Sequence, residues 1–135
     1  MREIKFRGKR IDNGEWVYGY YVCYGGAIPE PTHHIIHARD NLNRLVGENY
    51  EVDPATVGQY IDLKNKNGQE IYKGDILACG DASVPTEIRW HDESHAFYAY
   101  NIMRKEWHRL DRYFKRFIGE IVGNVHDNPE MVGRE

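Results

Sequence analysis

Arginine, lysine and aromatic side chains interleave in RKEWHRLDRYFKRF, residues 104–117. That mixture is the chemistry of a nucleic-acid surface: cations meet phosphates and release their counterions, while flat rings stack on bases. On this reading Arg104, Trp107, Arg109, Arg112, Tyr113 and Arg116 carry the contacts. A plainer arrangement uses the same residues. Trp107, Leu110, Phe114 and Phe117 fall at helical spacing. Segment 107–117 is therefore predicted as a short amphipathic helix, aromatics in the core and arginines in water. A second basic cluster opens the chain, and Lys5, Arg7 and Lys9 join the patch if they leave by one outer sheet face.

Aromatic residues crowd a second stretch. Trp16, Tyr18, Tyr20, Tyr21 and Tyr24 occupy both faces of one predicted strand. A strand that is aromatic on both faces is either covered on both sides or presents an interface. These five are the candidate protein-interface residues, for a partner protein or for self-association. The competing reading is a simple core, since Tyr is common in strands.

Other chemistries are weakly supported. His33, His34 and His37 cluster, and His91 and His95 flank Asp92 and Glu93. On a strand, His33 and His37 stand about 13 Å apart, too far to share a metal. A metal-dependent hydrolase using His91, Asp92 and His95 is the weakest alternative, and no metal site is assigned. No serine elbow, phosphate-cradling glycine loop or zinc-protease motif occurs, so no catalytic residue and no cofactor are expected. Cys23 and Cys79 lack CxxC partners and read as packed thiols. The expectation leans towards a protein that is not an enzyme.

These residues need elements to position them. The chain has 135 residues, 41% hydrophobic and 29% charged, with a net charge of -3. That suits one domain, or two very small ones sharing a core. Ten Tyr and 13 Gly favour short strands and tight turns over helices. Charge is uneven: residues 1–10 and residues 101–118 each carry a net of +4. The opening MREIKFRGKR is charged throughout and reads as no signal peptide. No run reaches the roughly 20 apolar residues of a membrane span. The expected location is therefore the cytoplasm, with no membrane partner.

Alternation at Ile4–Lys9 and Glu15–Cys23, around Asp12-Asn13-Gly14, predicts a hairpin. Asp53-Pro54-Ala55-Thr56 predicts a turn. Short strands are expected at 34–37, 56–63, 75–79, 86–90, 96–103 and 117–125, the last with a bulge near Gly119 or Gly123. Asp81–Pro85 reads as loop, and 38–50 is ambiguous. Asn128-Pro129-Glu130 starts a terminal helical turn.

Three stretches, KFRGKRIDNGEWVYGYYV (5–22), VDPATVGQYIDLKNKNGQEIYKGDIL (52–77) and IGEIVGNVHDNPEM (118–131), carry a resemblance. In order and spacing they resemble the YopX family of small phage and prophage proteins. Ile61-Asp62 stands where the family pattern has a Thr-Gly pair. The resemblance implies a mainly β protein. It also implies a C-terminal half similar to an SH3-like barrel, starting near Gly74-Asp75, and it brings no catalytic residues. The expected organisation is an N-terminal β region, 1–66, and an SH3-like barrel region, 67–135, with one shared core as the other arrangement. NKNGQEIYKGDIL, 65–77, is then a joint anchored by Ile71-Tyr72, with Lys64, Lys66 and Asn67 in water. The leading expectation is a phage or prophage accessory protein that binds a protein partner or itself. Nucleic-acid binding through 104–117 is the alternative.

Overall fold

The computed structural model describes residues 3–25, 33–40, 42, 44–79, 82–111 and 119–133. The fold is mainly β, as expected, in two antiparallel sheets. The chain divides into two compact units, Met1–Tyr60 and Ile61–Glu135. The first sheet has the order β4-β3-β2-β1-β5-β6, built from β1 (Phe6–Lys9), β2 (Trp16–Tyr24), β3 (His33–Arg39), β4 (Leu45–Glu51), β5 (Gly58–Lys64) and β6 (Glu70–Tyr72). The second has the order β10-β9-β8-β7-β11, from β7 (Asp75–Cys79), β8 (Ala82–His91), β9 (Ala96–Asn101), β10 (Glu106–Arg109) and β11 (Glu120–Asn124).

In the first unit the predicted hairpin forms. Arg7 pairs with Tyr18 and Lys9 with Trp16. Gly14 takes φ +73, and the Asn13 side chain accepts from the Glu15 amide, the turn chemistry that Asn-Gly supplies. The Asp53 carboxylate accepts from the Ala55 amide and caps a 3-10 turn, Pro54–Thr56. Ile36, Ala38 and Val52 are buried together on one side of the sheet.

The other side corrects an expectation. Lys5, Arg7 and Lys9 share the sheet face of Tyr18, but Lys5 and Arg7 are buried there, Arg7 to 6% exposure, and present no open basic patch. Arg7 lies 4.6 Å and Lys9 5.5 Å from the Trp16 ring centre, and Lys5 lies 5.8 Å from that of Tyr60. Register places these cations beside aromatics, and each such contact is worth about 0.5–2 kcal/mol. β4 forms in the stretch that alternation leaves ambiguous. Cys23, expected to be packed, is an exposed free thiol on β2.

In the second unit Ile61, Ile71, Leu77, Ile88 and Ala99 form the core, with Leu63, Phe97, Leu110 and Ile121 against it. Each fully buried Ile or Leu contributes roughly 2 kcal/mol. The 65–77 stretch lies within the second unit and connects β5, β6 and β7. Buried Asn65 accepts from the amides of Asn67 and Gln69. Ile71 and Tyr72 are buried, whereas Lys64, Lys66 and Asn67 are exposed. The Asp75 carboxylate accepts from the Tyr72 amide, and Gly74 takes φ +92 at the corner.

Two boundaries differ from expectation. Residues 82–85 belong to β8 and are not loop, with Pro85 opposite Ala78 and its carbonyl accepting from the Ile102 amide. Glu106–Arg109 pair with β9, so Trp107 lies on a strand and not on the predicted helix. Only Leu110 and Asp111 are helical in the described part of that segment. The expected bulge falls between Ile121 and Gly123, and Pro129–Val132 form the expected terminal turn.

Candidate functional site

Two surfaces gather the candidate residues, one in each unit. On β2, alternate side chains Tyr18, Tyr20, Val22 and Tyr24 share one face and are 40%, 40%, 40% and 52% exposed. Trp16 continues this row, half-buried, with Arg7 and Lys9 beside its ring. Neighbouring β3 supplies partners in register. The Arg39 guanidinium sits 3.9 Å from the Tyr20 ring centre, and His33 stacks on Tyr24 at 5.2 Å.

Tyr21 turns to the opposite face. Its ring packs against Phe6 and His34, and its hydroxyl is hydrogen-bonded to His34 Nδ1. Burial pushes that hydroxyl above the usual tyrosine range, with Cys23 as the second cause. The structure therefore assembles Trp16, Tyr18, Tyr20 and Tyr24 on one face and sets Tyr21 apart.

The second surface lies across β8, β9 and β10. Register aligns Arg89, Tyr98 and Arg109 in one row, and Glu87, Tyr100 and Trp107 in the next. Trp107 is 41% exposed and packs edge-on against His91 at 4.8 Å and Tyr100 at 4.9 Å. His91 stacks on Tyr98 at 4.5 Å. Arg89 covers Tyr100 at 3.9 Å and donates to the Glu87 carboxylate at 2.7 Å.

Arg104 is exposed in the turn between β9 and β10, and Arg109 is exposed at the end of β10. Arg112, Tyr113 and Arg116 lie outside the described residues. Sequence reasoning missed Arg89, Tyr98 and Tyr100 as neighbours of Trp107. The alternation of Glu87, Arg89 and His91, and of Tyr98 and Tyr100, carried that signal once the two strands were paired.

The weak hydrolase arrangement finds no convergence. His91 Nδ1 accepts from the Ser94 amide, and His95 takes φ +50 in the turn. Among the described residues, no three His, Cys, Asp or Glu side chains come together as a metal would require. Among the same residues, no helix is long and apolar enough to cross a membrane.

No curated protein matches the chain. A family model described as YopX protein matches residues 5–133. That span contains the β1–β2 hairpin, the Asn65–Asp75 stretch and the Gly123–Asn128 turn. The chain belongs to the YopX family.

Proposed function

We propose that this protein is a non-enzymatic accessory protein of a phage or prophage, acting in the host cytoplasm by binding another protein through β2. One observation carries the reading: the exposed row of Tyr18, Tyr20, Val22 and Tyr24 on a single sheet face. Tyr supplies large, stiff contact area at low entropic cost, which suits interfaces. A contiguous apolar row in water has a cost that a partner surface removes.

The second unit is read as SH3-like on two grounds. One is the family resemblance. The other is the strand order, in which the last strand, β11, pairs with the first, β7, beside the β7–β8–β9–β10 meander. That last-to-first pairing is one that a small five-stranded barrel uses, although among the described residues β10 and β11 end the sheet as open edges, and such folds serve many kinds of partner.

The test is a photo-crosslinking amino acid placed at Val22 or Tyr24 in cells carrying the prophage, with Lys66 as an exposed control position. The expected result is one reproducible adduct from Val22 and Tyr24, lost on Tyr20→Glu. An adduct of twice the chain mass identifies a second copy as the partner. Equal labelling from all three positions refutes the reading.

A second reading, nucleic-acid binding by the 104–117 segment, is favoured by the exposure of Trp107 beside Arg109.

A further inference from the structure

We infer that the outer face of β8, β9 and β10 is a stacking platform for an unpaired polynucleotide strand. This rests on the second reading above and moves its centre. The site is a three-stranded sheet face, with Arg89, Tyr98 and Tyr100 as members that segment 104–117 does not contain.

The geometry supplies both halves of such a site. Tyr98 lies between Arg89 and Arg109 in register, and Tyr100 and Trp107 occupy the next row. Strand geometry sets the two rows about 7 Å apart. A solvent-facing indole accepts a base by its π-face, whatever the base. Arg109 is exposed and pairs with Asp111 at 3.2 Å, itself exposed. Surface pairs of this kind contribute little, so a phosphate displaces the carboxylate at small cost. Arg104 and Lys105 lie in the turn beside the Trp107 row and extend the positive edge.

Rings alone would suit a protein as well. Arg109 beside Tyr98 and Trp107, with Arg104 and Lys105 in the adjoining turn, favours a polyanion with exposed bases, while Arg89 on the other side of Tyr98 is held by the buried Glu87 carboxylate. A duplex hides its bases in the stack, and its major groove admits a helix or a two-stranded ribbon. A three-stranded face is a poor fit to that groove.

The test is fluorescence anisotropy with the full chain and labelled oligo-dT, oligo-U and duplex DNA, each about 20 nucleotides or base pairs, at low and physiological salt. The expected result is binding of the single strands at least about tenfold tighter than the duplex. Comparison of oligo-dT with oligo-U distinguishes DNA from RNA. Trp107→Ala weakens single-strand binding by about fivefold to a hundredfold, while Trp107→Phe keeps most of it. Arg109→Glu, at an exposed position, weakens binding and flattens its salt dependence. Single-strand binding unchanged in Trp107→Ala, Arg109→Glu and Tyr98→Ala overturns both readings, whereas binding weakened by the first two but unchanged in Tyr98→Ala overturns the platform and leaves the second reading standing. Duplex binding as tight as single-strand binding likewise overturns the platform alone. Absence of binding to all three probes overturns both.

Discussion

Gly19 of β2 lies directly against the His37 carbonyl of β3. A Cβ built on Gly19 would stand 1.9 Å from that oxygen and 2.8 Å from its carbon. Both neighbours are backbone, so the contact cannot be relieved by turning a side chain. Gly19→Ala forces β2 and β3 apart at Gly19↔Ala38 and is expected to cost about 3 kcal/mol or more. Urea unfolding should show a clearly lowered midpoint. Gly14→Ala, where nothing lies within 4 Å but φ is +73, should cost only about 1 kcal/mol. Equal losses in the two variants would refute the close-approach account.

Asp62 takes φ +64, in the left-handed region that favours glycine. An L-residue in that region carries a steric cost of roughly 1–2 kcal/mol, which Asp tolerates better than most. Asp62 is exposed, so little packing is lost on its removal. Asp62→Gly should therefore stabilise the chain by about 0.5–1 kcal/mol, the greater freedom of the unfolded chain offsetting part of the gain. A raised thermal midpoint is expected, with Asp62→Ala moving it down.

The Asp40 carboxylate accepts from the amides of Arg44 and Leu42 and from the Arg44 guanidinium at 2.8 Å. The Arg44 amide is the largest of the causes that hold its pKa below the ordinary 3.8. A carboxylate depressed on folding adds stability above its unfolded pKa and loses it as pH falls through the folded value. Its contribution is therefore complete above about pH 4 and fades below that. Carbon-detected NMR titration should find Asp40 below the usual range in wild type. Arg44→Ala keeps both amides and should reverse only part of the depression. Complete reversal would show that the guanidinium dominates.

Gly123 and Asn128 are coupled. The Asn128 side-chain oxygen accepts from the Asn124 amide and would lie 2.4 Å from a Cβ at position 123. Gly123→Ala should push that side chain away and cost about 1–2 kcal/mol. Asn128→Ala should cost about 1 kcal/mol for the lost acceptor. The double substitution removes the clash and should cost clearly less than the two added together. Additive losses in chemical denaturation would place the two residues out of contact.

Much of the fold was legible where the chain's own turn chemistry acts within a few residues. Asn13-Gly14, Asp53-Pro54, Asn65–Gly68 and Lys73-Gly74-Asp75 each close a short loop with a side chain or a positive φ. Tyr18, Tyr20 and Tyr24 lie on one face because the period of a strand is two. β4 was not legible, because its polar residues form an edge strand held by pairing with β3. Trp107 misled for a similar reason. Its spacing to Leu110 fits a helix, yet hydrogen bonds to β9 decide the conformation of Glu106–Arg109, and short segments take the structure their neighbours impose.

The amino-acid sequence by itself determined the turns, the mainly β class and the membership of a family, since these depend on local stereochemistry and on order along the chain. The tertiary structure alone decided which side chains meet. Arg7 is buried beside Trp16, and Arg89, Tyr98 and Trp107 share a face, because strand register joins residues that sequence distance separates. That register is set by hydrogen bonds between strands and by the burial of Ile36, Leu77 and Ile88, which a single strand does not encode.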